Sequence, residues 1–144
     1  IIIFFIFFSS FTISLANENN YFLMLKNNKV NVRYGPSFKH PIKYIYIKKF
    51  LPVEIIDKKE NFRKIIDHKK NSGWIHISQL KKSNTIIILK NKILFNKPTK
   101  YSKPLVKLMK GRLLTIKKCK EKWCKVKTDS LSGWIEMNNY WGKI

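Results

Sequence analysis

One segment of this chain occurs twice, and this duplication limits the possible folds more than any other feature. The first copy spans residues 29–80 and the second spans residues 91–140. A Gly-Trp-Ile triplet that begins at Gly73 recurs at Gly133, 60 positions later. The chain is therefore predicted to be a tandem repeat of one small unit rather than one larger domain.

Alternation of apolar and polar residues predicts short β-strands within each copy. Val30 and Val32 alternate with polar neighbours, and Leu51, Val53 and Ile55 repeat this pattern. Period-two alternation is typical of a half-buried strand. Turn residues separate these runs at the spacing of about 8–12 residues that is typical of small sandwiches and barrels, so about five strands are expected in each copy.

Three runs in the first copy follow a recognisable order. They are Val30-Asn31-Val32-Arg33-Tyr34-Gly35-Pro36-Ser37, Asn61-Phe62-Arg63-Lys64-Ile65 and Gly73-Trp74-Ile75. This order resembles the bacterial SH3 (SH3b) family, although Phe62 stands where that family usually has tryptophan. The second copy keeps the frame through Pro98, Trp123-Cys124-Lys125-Val126 and Gly133-Trp134-Ile135, but it lacks the arginine and glycine of the first run. The resemblance implies an all-β fold of two tandem SH3-like β-barrels, over residues 21–80 and 81–144.

The N-terminal segment has the pattern of an export signal. Residues 1–16 carry no charge, Ser14-Leu15-Ala16 ends on small side chains, and a polar run follows. We expect a signal peptide cleaved after Ala16, with a start that is truncated because a basic region and an initiator Met are absent. An uncleaved anchor and a buried helix are the alternatives, but a helix needs ~20 apolar residues to cross a bilayer. The expected location is the periplasm or the cell envelope.

The charge of the chain favours anionic partners in general. Its 30 Lys and Arg residues outnumber 8 Asp and Glu residues, which gives a formal net charge of +22. Such a balance attracts nucleic acid, anionic lipid or charged wall polymers. Only Arg33, Arg63 and Arg112 are arginines, whereas specific phosphate and base recognition favours the arginine fork. A solvated basic surface is the alternative, and export argues against chromosomal DNA as a partner.

The two cysteines are predicted to form a disulfide. Cys119 and Cys124 bracket four residues, a spacing that suits facing positions in a hairpin, and an oxidising compartment permits the bond. Zinc would need about four ligands, and a redox pair is usually Cys-x-x-Cys. Two free thiols are the remaining alternative. In the tandem exported proteins that the chain resembles, the second unit commonly carries such a pair.

No catalytic constellation is apparent in the sequence. His40, His68 and His76 lack a serine or cysteine nucleophile in a recognisable motif, and the carboxylates, Asp67 among them, fall in predicted polar turns. Paired acid–base chemistry and nucleophilic catalysis are therefore not expected. We expect neither a metal nor a cofactor, and we expect a protein that is not an enzyme.

The resemblance also implies a ligand-binding surface built from aromatic rings. The predicted residues are Arg33, Tyr34, Tyr44, Tyr46 and Trp74 in the first copy, and Tyr101, Trp123 and Trp134 in the second. Alternation predicts that Ile45 and Ile47 face the core and that Tyr44 and Tyr46 face solvent. An alternative for Trp74 and Trp134 is that they close the barrel end or fill the seam between copies. Trp141 is expected to pack on the second barrel.

SH3b units commonly act as targeting modules beside cell-wall hydrolases. The resemblance therefore implies a non-catalytic module that binds peptidoglycan, its stem peptides or another envelope protein. The alternative, which rests on net charge alone, is a general binder of polyanions such as nucleic acid, lipopolysaccharide or anionic lipid. No specific nucleic-acid partner is expected, and a membrane is expected as a partner only through an uncleaved N-terminal segment.

Overall fold

The computed structural model describes residues 20–143, which form two antiparallel sheets of seven strands each. The predicted signal segment, residues 1–16, lies outside the described residues. Within the described part of the chain the only helix is the short 3-10 turn Ile77–Gln79, and no helix there is long and apolar enough to cross a bilayer. The expected all-β fold with two SH3-like units in tandem is confirmed.

The two sheets have the same strand order. The first contains β1 (Tyr21–Leu25), β2 (Val30–Arg33), β3 (Ile42–Tyr46), β4 (Pro52–Lys59), β5 (Phe62–Ile66), β6 (Ser72–His76) and β7 (Leu80–Lys82). The second contains β8 (Thr85–Ile88), β9 (Lys92–Phe95), β10 (Pro104–Leu108), β11 (Leu113–Lys120), β12 (Trp123–Thr128), β13 (Leu131–Glu136) and β14 (Tyr140–Trp141). The orders are β3-β2-β6-β5-β4-β1-β7 and β10-β9-β13-β12-β11-β8-β14. Each strand of one sheet thus has its counterpart seven strands later, and each unit has seven strands rather than the expected five.

The expected closed barrels are not formed, because the strands at the two ends of each sheet do not pair with each other. Residues of the second unit cover the open side of the first unit. Its buried core, which includes Leu25, Val53 and Ile75, also contains Ile87, and Trp141 packs against it. The first hydrophobic core is therefore completed by the sister unit instead of by a closing strand of its own.

Strand β8 contributes side chains to both hydrophobic cores. Ile86 and Ile88 point into the second core, whereas Ile87 points into the first. All four β8 residues are buried, which explains an uninterrupted apolar run where a half-exposed strand would alternate. Thr85, at the start of β8, donates a hydrogen bond of 2.7 Å from Oγ1 to the carbonyl oxygen of Phe50 in the first unit.

The prediction that Trp141 packs on the second barrel is wrong. Trp141 lies opposite Ile87 in the β14–β8 ladder, and residues opposite each other in a ladder point to the same face. Its ring therefore reaches the first unit, where it meets the Phe22 ring edge-on with centroids 5.1 Å apart. Its Nε1 donates a hydrogen bond of 2.9 Å to the carbonyl oxygen of Pro52.

The repeated Gly-Trp-Ile triplet has a steric cause. A Cβ atom on Gly133 would lie 2.7 Å from both Leu94 Cγ and the carbonyl oxygen of Phe95, which is too close for non-bonded atoms. A Cβ on Gly73 would likewise overlap the buried side chain of Val32. Glycine thus allows β6 to lie close to β2, and β13 to lie close to β9.

The predicted disulfide between Cys119 and Cys124 is present. The two residues face each other in the β11–β12 hairpin, with their Cα atoms 4.0 Å apart. The bond joins the two strands close to the turn that connects them.

Reduction of this disulfide is expected to lower the free energy of unfolding by about 2 kcal/mol, the value that the chain-entropy model gives for so short a loop. Urea titrations with and without dithiothreitol measure the effect. A chain carrying both Cys119→Ala and Cys124→Ala should be insensitive to the reductant. An unchanged midpoint for the parent chain on complete reduction would contradict the prediction.

Candidate functional site

The tyrosines of β3 face the interior, opposite to the prediction. β3 pairs with β2 so that Tyr46 lies opposite Val30 and Tyr44 lies opposite Val32. Both valines are in the first core, so the two tyrosines share their face and pack against that core. Ile45 and Ile47 are instead 42% and 84% exposed.

The two tyrosines and Asp67 form one hydrogen-bonded network. The phenol of Tyr46 donates to Asp67 Oδ2 at 2.8 Å and lies 3.2 Å from the Tyr44 hydroxyl. Burial and these hydrogen bonds raise the pKa of Tyr46 far above its usual range, and burial raises the pKa of Tyr44. Both hydroxyls are thus held in the network as neutral phenols.

Asp67 organises the turn that follows β5. Its Oδ1 accepts hydrogen bonds from the backbone N–H groups of Lys69 and Asn71, both at 2.9 Å. Its Oδ2 accepts from Tyr46 and from Asn71 Nδ2. Asp67 caps a turn as the sequence suggested, but it is buried rather than solvated.

An open cleft lies beside this network, between the two units. Its volume is about 1210 Å³. The first unit contributes β3 and its continuation, the Asp67 turn and Leu51, and the second unit contributes the end of β8 and the turn before β11. The lining residues are Tyr44, Ile45, Tyr46, Ile47, Lys48, Leu51, Asp67, His68, Lys69, Asn71, Ile88, Leu89, Lys110 and Gly111. We call this space the inter-unit cleft.

Basic side chains surround the inter-unit cleft. Lys48, Lys69 and Lys110 line it, and none of the three forms an ion pair within residues 20–143. His68 adds a neutral imidazole, because burial lowers its pKa and its Nδ1 has no hydrogen-bond partner in that part of the chain. With the Asp67 carboxylate fully engaged, the cleft offers apolar surface, phenol rings and cationic groups.

Arg33, Tyr34 and Trp74 do not join the tyrosines of the cleft. Arg33 and Trp74 lie opposite each other in the β2–β6 ladder, on the face turned away from the first core. The Arg33 guanidinium donates to the carbonyl oxygen of His40 at 2.9 Å and lies 5.3 Å from the centre of the Phe38 ring. Arg33 thereby holds the loop between β2 and β3, while Tyr34 is 63% exposed in that loop.

A second, smaller groove lies beside this loop. Its volume is about 370 Å³, and Arg33, Phe38 and His76 line it. The Phe38 ring lies 5.0 Å from that of His76 and 5.2 Å from that of Phe62. Phe38 was not predicted as a site residue, because a single aromatic residue in a loop has no periodic pattern to mark it.

Comparison with known protein families decides the identity of the repeat. The bacterial SH3 domain family matches residues 26–82 and again residues 90–142. The chain belongs to the bacterial SH3 domain family. Each match covers six of the seven strands of one sheet and leaves out the first, β1 or β8, so the family assignment agrees with the shared strand order of the two units.

Two solved structures similar to this bacterial SH3 protein are NlpC2 and NlpC1 from Trichomonas vaginalis. Each is 13% identical to it with a TM-score of 0.40, over 86% and 90% of this chain respectively. The chain spans 48% of each of those proteins, or about half of their length. A comparison with curated proteins finds no match.

The second SH3 unit has a groove at the equivalent place but with other residues. It has a volume of about 290 Å³, and its lining includes Phe95, Lys100 and Glu136 where the first unit has Arg33, Phe38 and His76. Lys92 donates from Nζ to the carbonyl oxygen of Glu136 at 3.0 Å, and burial lowers its pKa. The two grooves therefore differ in charge and in aromatic content.

The aromatic residues predicted for a site in the second unit are dispersed. Trp123 is 93% buried and meets Phe95 with ring centroids 5.8 Å apart; it occupies the place of Phe62 in the first unit. Trp134, like Trp74, is half-buried and is not among the residues packed against a core, and Lys118 Nζ lies 5.7 Å from its ring centre. Tyr101 is 95% exposed. These side chains do not form one surface.

The histidines are held in local hydrogen bonds or at the cleft. His40 Nδ1 lies 2.8 Å from Ser37 Oγ, and His76 Nδ1 lies 2.8 Å from Ser78 Oγ. Both pairs are local turn contacts at the surface, and neither has a third group that would orient the imidazole as a general base. Residues 20–143 contain no group of three or more His, Cys, Asp or Glu side chains arranged to hold a metal ion.

Proposed function

We propose that this chain is an exported, non-catalytic binding module of the bacterial cell envelope, which recognises peptidoglycan, its stem peptides or another envelope protein. The observation that carries the proposal is the inter-unit cleft, whose walls come from both SH3 units. Ligand sites commonly lie between domains and combine apolar walls with a few convergent polar groups. Membership of the bacterial SH3 family supports a binding role for such a site.

The lining of the cleft suits a peptide or glycan that carries carboxylates. The rings of Tyr44 and Tyr46 and the exposed side chain of Ile47 supply apolar contact. The ammonium groups of Lys48 and Lys110 stand on opposite walls and attract anionic groups. Because each unit supplies one wall, the proposal also explains why the chain carries two units.

Co-sedimentation with purified sacculi, combined with recovery of proteins from envelope extract, tests this proposal at moderate salt. The described chain should retain wall material or one defined protein. Ile47→Ser removes an exposed apolar side chain from the cleft without disturbing a core, and it should weaken binding about tenfold.

Ile77→Ser is the control, since Ile77 is also an exposed isoleucine but lies outside the cleft and outside both smaller grooves. It should bind like the parent chain. Retention of neither wall nor protein would refute the proposal, as would equal losses for both substitutions.

The second candidate function is general polyanion binding, and a lysine-rich hairpin of the second unit favours it. The β11–β12 hairpin of the second unit carries the lysines Lys117, Lys118, Lys120, Lys122, Lys125 and Lys127 beside one acid, Glu121. The equivalent β4–β5 hairpin mixes four basic residues with Glu54, Asp57 and Glu60. Binding to a polyanion releases counterions and falls steeply between ~50 and ~200 mM salt. Binding in the cleft should persist over that range.

A further inference from the structure

We infer that the inter-unit cleft takes up an extended acidic segment of a protein chain, which adds as an extra strand to the free edge of β3. The inference rests on the proposed function and selects its protein-binding form. It names the backbone edge that pairs with the partner and the side chains that set the charge of that partner.

The edge of β3 borders the cleft. Within residues 20–143, β3 stands at the end of the first sheet and pairs only with β2, so in that part of the chain one row of its backbone groups has no strand beside it. The consecutive residues Tyr44–Lys48 all line the cleft. Side chains of both faces and the backbone between them therefore border the same space, which is the arrangement that strand addition uses.

The edge strands β3 and β10 share a bulge but differ in sequence beyond it. β3 has a register shift between Ile42 and Tyr44, and β10 has the equivalent shift between Pro104 and Val106. After the bulge, β10 has Lys107, and a lysine in an edge strand hinders pairing. β3 has the exposed Ile45 at the equivalent position. The part of β3 beyond its bulge therefore presents an apolar edge for pairing, and it borders the cleft.

The charge around this edge selects an acidic partner. Three lysines line the cleft. Lys48 lies just after the end of β3, Lys69 lies in the Asp67 turn, and Lys110 belongs to the second unit. None is paired with a carboxylate of the described chain. The Asp67 carboxylate, which lines the same cleft, is already the acceptor of four hydrogen bonds. A strand carrying carboxylates would thus meet three ammonium groups against the single carboxylate of Asp67.

The size of the cleft fits a chain segment better than a small metabolite. Its volume of about 1210 Å³ exceeds the ~300–1,000 Å³ of typical small-molecule sites. A strand as long as β3, which has five residues, extends over roughly 17 Å. We therefore commit to an extended polypeptide of a partner protein as the occupant.

Nuclear magnetic resonance titration of the 15N-labelled protein with a blocked heptapeptide of alternating valine and glutamate tests the inference. Slowed amide exchange should be confined to residues 42–48, and chemical-shift changes to these and the other residues of the cleft, 51, 67–69, 71, 88–89 and 110–111. A matched peptide with lysine in place of glutamate should bind at least about tenfold more weakly. Two further peptides, N-methylated at alternate amides in either register, distinguish strand addition from side-chain contact, and at least one of them should lose binding.

Two protein variants localise the effect of charge. Lys110→Glu places a carboxylate on the second wall of the cleft and should weaken binding of the acidic peptide about tenfold. Lys58→Glu changes the net charge equally on an exposed hairpin outside the cleft and should leave binding nearly unchanged. Equal losses for the two variants would mean attraction to net charge and would overturn the inference.

Other outcomes also refute strand addition. Shift changes around Phe38 and His76 would place the peptide in the smaller groove, and equal affinity of all N-methylated peptides would exclude backbone pairing. Absence of binding by the acidic peptide, with proteins of the envelope extract still retained, would refute this inference and leave the proposed function standing. Loss of both would refute the two together.

Discussion

Trp141→Ala is expected to lower the free energy of unfolding by about 3–5 kcal/mol, the usual cost of truncating a large aromatic side chain that packs against a core. The substitution removes the edge-on contact with Phe22 and the hydrogen bond from Nε1 to the carbonyl oxygen of Pro52. Both contacts join the second unit to the first. Urea unfolding followed by circular dichroism measures the loss without depending on tryptophan fluorescence.

Two further variants make the Trp141 result specific. Tyr140→Ala removes an aromatic residue from the same short strand, but Tyr140 lies opposite Ile88 and is 38% exposed, so a much smaller loss is expected. Trp141→Phe keeps part of the ring contact and removes the hydrogen bond, so its stability should lie between those of the parent and the alanine variant. Equal stability of Trp141→Ala and the parent would contradict the assigned packing.

Asp67→Ala is expected to lower the free energy of unfolding by about 2–4 kcal/mol. The substitution leaves the buried Tyr46 hydroxyl and the N–H groups of Lys69 and Asn71 without their acceptor, and each unsatisfied buried donor costs about 1–3 kcal/mol. Part of this loss is recovered where water reaches the turn. Thermal or urea unfolding of the intact chain measures the change.

Asp57→Ala is the matched control for this carboxylate. Asp57 is exposed, and its side chain accepts a hydrogen bond from its neighbour Lys58 N, so a change within about 0.5 kcal/mol is expected. Tyr46→Phe removes one of the four hydrogen bonds to Asp67 and should cost about 1 kcal/mol. A loss for Asp67→Ala no larger than that for Asp57→Ala would contradict the network described above.

The repeat was predictable because the same residue types recur where the fold requires them. Gly73 and Gly133 are glycines because a Cβ atom there would overlap Val32 or Leu94, about 40 positions earlier in the chain. The disulfide was predictable for a different reason, since Cys119 and Cys124 face each other across one short hairpin. The valines of β2 were likewise predictable from a short segment, since they alternate with polar residues.

The orientation of β3 was not predictable from its own residues. Tyr44 and Tyr46 alternate with Ile45 and Ile47, so both faces of the strand are apolar or aromatic and hydropathy does not distinguish them. Pairing with Val30 and Val32 determines the outcome. The inter-unit cleft was not predictable either, because the residues that line it come from both units and are distant in the chain.

Trp141 shows the same limit at the level of the two units. The run Thr85–Ile88 indicates a buried strand, but nothing in it tells which core each side chain joins. Its alternate residues belong to different cores. Trp141 lies opposite Ile87 and therefore packs on the same core as Ile87. Only the assembled pair of units determines that assignment.

A strand that contributes to two cores has a consequence for biogenesis. As the polypeptide is synthesised from its N-terminus, the core of the first unit is completed only after Ile87 and then Trp141 of the second unit have been made. Its apolar opening therefore stays exposed until Trp141 has been added. A chain truncated after the first repeat would expose this apolar opening and is therefore expected to aggregate.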